Sequence, residues 1–139
     1  LTGVNVVEVG PGPGGLTRPL VESDAATVTA IERDPRFAAA LADLAAAADG
    51  RFRLVEGAGL DLDPVDLVPA PRAIIANLPY NVGTPMLFNW LARIAEYRFL
   101  ALMFQKEVVD RITARPRTAD YGRLAVMCQW LADCRTLLV

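Results

Sequence analysis

Residues 74–80 read Ile-Ile-Ala-Asn-Leu-Pro-Tyr, and this segment is the most informative one in the sequence about the fold and the site. The apolar residues 73–76 predict a buried strand, which ends where the chain turns polar at Asn77. Proline cannot donate to a sheet ladder and restricts the preceding residue to extended geometry, so Leu78-Pro79 forms a stiff corner. The sequence therefore predicts an amide, carbonyl groups and the Tyr80 ring at the carboxyl end of a strand, where open α/β sheets bind ligands.

Before and after this segment, apolar runs that predict strands alternate with helical patterns along the chain. We predict strands over residues 4–9, 27–31, 51–55, 73–76 and 99–104, and helices over 16–21, 35–48, 84–95, 105–114 and 120–132. Asp34-Pro35 and Thr84-Pro85 each combine a helix-capping residue with a proline at the first helical position. Strands that alternate with helices of about ten residues predict an α/β fold with a doubly wound, mostly parallel sheet.

The composition is typical of a folded domain and excludes several kinds of site. Of the 139 residues, 53% are hydrophobic and 22% are charged, unlike a disordered chain. Because the chain has no histidine, histidine triads and histidine-ligated metals are excluded, and we expect no metal. No apolar run is long enough to span a bilayer and no signal peptide is present, so we expect a cytoplasmic protein with no membrane partner.

Charge is unevenly distributed along the sequence. The whole chain has a net charge of −2, but residues 1–92 carry −5 and residues 93–139 carry +3. The basic excess of the later residues is either a solvated helical surface or a patch that faces phosphates.

The first predicted strand leads into a glycine-rich turn, with Gly10, Gly12 and Gly15 in the pattern G-x-G-x-x-G. Glycines let backbone N–H groups approach a ligand, and Glu32 follows the second strand, where a ribose-binding acid is expected. This pattern serves nicotinamide dinucleotides and S-adenosylmethionine alike, because both present a ribose diol.

Two features favour S-adenosylmethionine over a dinucleotide. Pro11 and Pro13 remove N–H groups that a pyrophosphate would use, and Glu8 places an acid two residues before the first glycine. The corner at Asn77 is the second feature, because hydride transfer does not require it. A dehydrogenase remains an alternative that would need bound NAD.

The corner at Asn77 suits transfer to the exocyclic amine of a base. The Asn77 side-chain carbonyl and the Leu78 backbone carbonyl can accept both amine hydrogens, which favours a tetrahedral nitrogen whose lone pair points at a methyl donor. Pro79 would hold these acceptors rigidly, and Tyr80 would stack on the base. The alternative is a proline-containing turn with a packed tyrosine. A base inside nucleic acid must be flipped out to reach such a pocket.

Five segments of the sequence resemble one family, the ribosomal RNA adenine dimethyltransferases. The resemblance is greatest to the bacterial small-subunit branch, which dimethylates two adjacent adenosines near the 3′ end of its rRNA, and it is carried by residues 7–17, 31–34, 77–85, 103–111 and 121–124. The resemblance implies a Rossmann-like class I methyltransferase fold, S-adenosylmethionine as cofactor and N6,N6-dimethylation of adenosine. It also implies the small ribosomal subunit as partner, and we expect a monomer.

The resemblance further implies roles for individual residues. The implied contacts to S-adenosylmethionine are Gly10, Pro11, Gly12, Glu32, Arg33, Ala58 and Asn77. The implied catalytic residues are Asn77, Leu78, Pro79 and Tyr80. In the basic part of the chain, our hypothetical phosphate contacts are Arg111, Arg115, Arg117 and Arg123.

Departures from the family pattern leave alternatives open. Ala58 stands where the family usually carries an aspartate that accepts from the adenine amine of the donor. Residues 1–139 are expected to be an incomplete catalytic core, truncated at both ends, without the family's N-terminal segment, last strands and C-terminal helical domain. A non-catalytic rRNA-binding or ribosome-assembly factor and a large-subunit rRNA adenine methyltransferase are the alternatives within this fold.

Overall fold

Five parallel strands form one sheet in the computed structural model of the chain. They are β1 (Asn5–Val9), β2 (Thr27–Glu32), β3 (Phe52–Glu56), β4 (Arg72–Asn77) and β5 (Phe99–Met103). Their order across the sheet is β3-β2-β1-β4-β5, and every neighbouring pair is parallel. The chain builds outward from β1 to β3 on one side and then returns to build β4 and β5 on the other. This reversal confirms the predicted doubly wound topology.

The structure describes residues 1–78 and 82–138, which divide into two units. The sheet unit comprises Leu1–Leu78 and Ala95–Met103 and contains all five strands. The helical unit comprises the described residues among 82–94 and 104–138. Within the described residues, no helix combines the length and apolar character that crossing a membrane requires.

The core of the sheet unit lies against β1 and β2. All five residues of β1 are buried, as expected for a central strand of a parallel sheet. Helices α1 (Thr17–Glu22) and α2 (Ala38–Ala47) contribute to the same cluster through Leu20, Leu41 and Leu44. Leu41 and Leu44 therefore lie on the face of α2 that packs into the core.

Several predicted helix bounds are wrong for identifiable reasons. Residues 35–48 divide into a 3-10 turn (Pro35–Phe37) and α2, although Asp34 caps the turn as predicted by accepting from the Arg36 N–H at 2.9 Å. A short helix, α3 (Pro64–Leu67), was not predicted, although Asp63 caps it by accepting from the Val65 N–H. It repeats the Asp-Pro signature but has only four residues, too few for a periodic pattern.

The helical unit contains α4 (Gly83–Leu91), α5 (Lys106–Ile112) and α6 (Arg123–Leu131). Thr84 does not cap α4, because that helix begins one residue earlier and has no side-chain cap. Helix α6 begins three residues later than predicted, because Gly122 before it is fully extended. The Gln129 side-chain amide of α6 donates to the Ile112 and Ala114 carbonyls at 2.9 and 2.8 Å, so it terminates α5 and joins the two helices.

The buried position of Leu41 gives a direct test of this core. We expect Leu41→Ala to lower the free energy of unfolding by about 2–5 kcal/mol, because it removes apolar contacts and leaves a cavity. Leu60→Ala is the matched control, since Leu60 is exposed and its truncation should change the free energy by less than about 0.5 kcal/mol. Urea denaturation measures both, and equal losses in the two variants would contradict the described core.

Candidate functional site

The carboxyl ends of neighbouring strands bring several predicted site residues to one edge of the sheet unit. Val9 is the register partner of Ile31 in β2 and of Ala76 in β4. The next residue of each strand therefore places Gly10 between Glu32 and Asn77. This is the point at which the strand order reverses, where α/β sheets of this kind bind their ligands.

The glycine turn leaves space above its backbone. Gly10 and Gly12 have φ angles of +70° and +56°, in the left-handed region that glycine adopts without strain. A Cβ atom built on either residue meets no heavy atom within 4 Å, so a ligand can approach the backbone closely. The turn is thus a cradle that any side chain would partly fill.

The N–H groups of these glycines are used within the protein rather than left for a ligand. Gly10 donates to the Ile31 carbonyl at 2.9 Å, and Gly12 donates to the Glu32 carboxylate at 3.0 Å. The expectation that the turn supplies N–H donors to a ligand is therefore not met at these two residues. The contribution of these two glycines is therefore that they let a ligand approach the backbone closely.

Glu32 holds the turn in place. One carboxylate oxygen accepts from the Gly12 N–H and the other from the Asp34 N–H, both at 3.0 Å. The side chain is half-buried, and two carboxylate oxygens offer about four acceptor positions. Two backbone donors leave acceptor capacity that suits a pair of neighbouring hydroxyl groups, as in a ribose.

A second carboxylate lies beneath the turn. Glu8 in β1 is buried and accepts a hydrogen bond from the hydroxyl of Thr17, which is also buried. Burial raises the pKa of Glu8 from 4.5 to about 7; the Thr17 bond opposes this shift, and the negative charge of Glu32 adds to it. Glu8 was singled out from the sequence, but Thr17 was not assigned a role, although it lies directly after the glycines and within residues 7–17.

The corner after β4 is described only in part. Asn77 is exposed, and the Leu78 that follows is buried. Leu78 donates its N–H to the Met103 carbonyl at 3.1 Å, so pairing with β5 continues one residue beyond β4. The Asn77 side chain therefore faces away from the core. The backbone that carries it is held by the hydrogen bond from the next residue, Leu78, to Met103 of β5. Pro79 and Tyr80, the other two predicted catalytic residues, lie outside the described residues.

The other residues predicted to contact S-adenosylmethionine lie in the loops that follow β1, β2 and β3. Pro11 is buried within the turn, and Arg33 is exposed directly after Glu32. Ala58 is half-buried in the loop after β3, where its carbonyl accepts from the Asp61 N–H at 3.0 Å. The preceding residue, Gly57, donates to the Glu32 carbonyl at 3.0 Å, which ties this loop to the end of β2.

The predicted phosphate contacts belong to the helical unit. Arg111 lies in the last turn of α5, Arg123 begins α6, and Arg115 and Arg117 lie between these helices. All four side chains are exposed. Within the part of the chain that the structure describes, no three His, Cys, Asp or Glu side chains are grouped to hold a metal ion.

The chain is similar to known proteins over nearly its whole length. Residues 2–139 match the family described as ribosomal RNA adenine dimethylase. The chain is 55% identical over 132 residues to the ribosomal RNA small subunit methyltransferase A of Rhodospirillum rubrum, and 52% identical over 136 residues to that of Caulobacter vibrioides. These alignments cover 95% and 98% of this chain but 46% and 52% of the relatives, so the chain spans about half their length.

Solved structures of a dimethyladenosine transferase and of an rRNA methyltransferase have the same fold as this chain. A dimethyladenosine transferase from Plasmodium falciparum superposes with a TM-score of 0.77 at 26% identity, covering 90% of this chain and 44% of that one. The 23S rRNA methyltransferase ErmE superposes with a TM-score of 0.70 at 29% identity, covering 91% of this chain and 47% of that one.

The raised pKa of Glu8 predicts a pH dependence of stability. Since the folded state binds the Glu8 proton more tightly than the unfolded state, its stabilising effect is complete below pH 4.5 and is lost as pH rises through about 7. The loss amounts to about 3 kcal/mol at most. We expect Glu8→Gln, which keeps an acceptor for Thr17 but does not ionise, to abolish this loss. Urea denaturation at pH 5, 6, 7 and 8 measures it.

Glu22→Gln is the control for that experiment, because Glu22 is an exposed carboxylate on α1. Its stability should follow that of the unaltered protein at every pH. Parallel pH curves for Glu8→Gln and the unaltered protein would show that Glu8 is not the responsible group.

Proposed function

Because the chain belongs to the ribosomal RNA adenine dimethylase family and has the class I methyltransferase fold, we propose that it forms part of the catalytic core of an S-adenosylmethionine-dependent enzyme that dimethylates adenosine N6 in small-subunit ribosomal RNA. One observation carries the proposal. The glycine cradle held by Glu32 lies directly beside the exposed amide of Asn77 at the point where the strand order reverses.

The residues at this edge fit S-adenosylmethionine, which when bound supplies an electrophilic methyl group on a positively charged sulfur. Glu32 has acceptor capacity for the ribose hydroxyls, and the open faces of Gly10 and Gly12 admit the donor to the backbone. Glu32 and Glu56 end β2 and β3, and Glu8, whose raised pKa leaves it partly ionised at neutral pH, lies near the end of β1. Their negative charge favours a cation and disfavours a pyrophosphate. This electrostatic preference argues against the dinucleotide alternative.

Asn77 and Leu78 act on the target amine in this proposal. Their two carbonyl oxygens accept the two N–H hydrogens of adenosine N6, which localises the nitrogen lone pair for attack on the methyl carbon. The nitrogen would gain positive charge as its bond to the methyl carbon forms and the bond from that carbon to the donor sulfur breaks, with the electron pair left on sulfur. The same oxygens would stabilise the positive charge until a proton leaves to solvent. The pairing of Leu78 with Met103 holds the corner in position, so little reorganisation is needed.

The second methyl transfer uses the same acceptors differently. After the first transfer, the nitrogen retains one N–H, so one acceptor is sufficient and the amine must rotate within the corner. After the second transfer no N–H remains, and the product loses both hydrogen bonds. This loss favours release of the dimethylated base. We assign stacking on the base to Tyr80 and rigidity of the corner to Pro79.

The ribosomal RNA would meet the protein partly through the helical unit. Its exposed arginines, among them Arg115 and Arg117 in the segment between α5 and α6, supply the positive charge that RNA phosphates require. The relatives named for the small subunit share 47–55% identity with this chain, against 29% for the 23S enzyme. This difference favours small-subunit RNA as the substrate.

Ala58 favours a second candidate function, a non-catalytic RNA-binding or ribosome-assembly factor. An alanine at this position cannot accept a hydrogen bond through its side chain, and the Ala58 carbonyl already accepts from Asp61. Calorimetry with S-adenosylmethionine separates the two functions, because an assembly factor would bind the ribosomal RNA without binding the donor.

Asn77→Ala tests the proposed mechanism. We expect kcat for transfer of labelled methyl groups to undermethylated small subunits to fall about 10²–10³-fold, because a preorganised acceptor is lost from the reacting nitrogen. Asn89→Ala removes an exposed amide from α4 and should leave the rate unchanged. The full chain is used for both variants, and a kcat for Asn77→Ala within about threefold of the unaltered enzyme would contradict the mechanism.

Ala58→Asp tests the donor site independently of catalysis. A charge-assisted hydrogen bond to the donor's adenine amine is worth about 1.5–3 kcal/mol, so we expect S-adenosylmethionine to bind at least about tenfold more tightly. Ala58→Asn is the matched variant, in which a neutral acceptor should produce a smaller gain. Isothermal titration calorimetry measures both, and an unchanged affinity in Ala58→Asp would mean that this loop does not hold the adenine.

A further inference from the structure

The helical unit contains a cavity of about 520 Å³ that the proposed mechanism does not use. Its wall combines Thr84 and Phe88 of α4 with Arg111 of α5 and the segment Asp120, Tyr121 and Arg123 at the start of α6. This volume lies within the range of about 300–1,000 Å³ that small-molecule sites occupy. None of the lining residues belongs to the sheet unit.

Two of the lining residues, Arg111 and Arg123, are positively charged. Arg111 and Arg123 are exposed, and within the described residues neither forms an ion pair. Lys106, by contrast, is paired with Asp110 at 2.8 Å. A guanidinium group presents a planar fork of donors that matches a phosphate, so two unpaired arginines on one cavity favour an anionic ligand.

Two aromatic rings line the same cavity. Phe88 is half-buried, and Tyr121 retains 37% of its surface. Aromatic rings beside arginines are the usual means by which proteins hold unstacked bases of single-stranded nucleic acid. An inorganic anion would use the arginines but would gain nothing from the rings.

Asp120 adds an acceptor to this wall. A carboxylate repels a phosphate but accepts hydrogen bonds from an exocyclic amine or a ribose 2′-hydroxyl. Lys106 lies close enough for attraction, because Asp110 and more weakly Asp120 raise the pKa of its ammonium group. The Asp120 oxygens therefore suit the base or sugar of a nucleotide rather than its phosphate.

Local hydrogen bonds position Tyr121 before any ligand arrives. The Thr118 hydroxyl donates to the Arg115 carbonyl at 2.7 Å, and the Tyr121 N–H donates to the Thr118 carbonyl at 3.2 Å. Gln129 of α6 holds the end of α5 against α6. Tyr121 and Arg123 thus follow a turn that is hydrogen-bonded without a ligand, and Arg111 lies in α5.

From these contacts we infer that the cavity binds one unpaired nucleotide of the RNA substrate, other than the adenosine that receives the methyl groups. The base stacks on Tyr121 beside Phe88, its amine or 2′-hydroxyl donates to Asp120, and its phosphates meet Arg111 and Arg123. The inference rests on the proposed function, because it takes RNA as the substrate. It adds a second point of recognition in the helical unit.

Removal of single bases from the RNA tests this inference. The probe is a synthetic hairpin with the sequence of the 3′ end of small-subunit ribosomal RNA, in which each unpaired base in turn is replaced by an abasic residue. We expect one abasic position, distinct from the methylated adenosines, to weaken binding to the unaltered full chain about tenfold. Tyr121→Ala should weaken binding of the intact hairpin by a similar factor and lose no further affinity at that position. Tyr121→Phe should behave like the unaltered protein, because it keeps the ring.

A charge variant tests the phosphate contacts. Arg111→Gln should reduce the slope of log Kd against log salt concentration by about one phosphate contact. Arg98→Gln removes the same charge from an exposed position outside the cavity and should leave the slope unchanged. Equal slopes for Arg111→Gln and the unaltered protein would overturn the assignment of a phosphate to Arg111.

These outcomes separate the inference from the proposed function. If no methyl transfer is found but the abasic effect depends on Tyr121, the proposed activity fails and the nucleotide site stands. If methyl transfer proceeds and the Tyr121→Ala variant still loses affinity at every abasic position as the unaltered protein does, the inference is wrong and the activity stands. Calorimetry with S-adenosylmethionine should give the same affinity for Tyr121→Ala and the unaltered protein, which excludes general unfolding.

Discussion

The carboxylate of Glu32 is the contact on which the candidate site depends. It joins the end of β2 to the glycine turn after β1 through the Gly12 N–H, and to its own following loop through the Asp34 N–H. The carbonyl of the same residue accepts from Gly57, which brings the loop after β3 into the same arrangement. One residue thus organises three connections that a parallel sheet would otherwise leave independent. The affinity of a ligand that bound Glu32 would therefore depend on the positions of all three connections.

Residues 1–92 and residues 93–139 carry net charges of opposite sign. The first 92 residues carry a net charge of −5 and include Glu8 and Glu32, which in the proposed function lie near a cationic methyl donor. The later residues carry a net charge of +3 and include the exposed arginines that we propose as RNA contacts. The overall charge of −2 conceals this division, because opposite requirements cancel in the sum. Local charge, rather than the total, indicates which ligand each part of the chain accepts.

Much of the fold follows from local sequence rules, whereas the site depends on contacts between distant residues. All five strands were predicted from apolar runs, and the cap at Asp34 from its side chain and the proline that follows. The start of α6 was wrong because the backbone of Gly122 is extended, a conformation that residue type alone does not determine. Thr17 was missed because its bond to Glu8 spans nine residues between two elements. The N–H of Gly12 was expected to serve a ligand, and its partner Glu32 lies twenty residues away.

Asn77 and Leu78 point in opposite directions at the end of β4, so the site depends on the number of residues in this strand as well as on their identity. The two side chains lie on opposite faces of the sheet, as successive side chains of a strand do, and at this end of β4 only the face of Leu78 is covered. Inserting or deleting a single residue within the strand would exchange the two, placing the amide in the interior and the leucine in solvent. Substitutions inside β4 can be compatible with the site as long as the number of residues is unchanged. Selection on this segment would therefore act more strongly against insertions and deletions than against conservative replacements of its apolar residues.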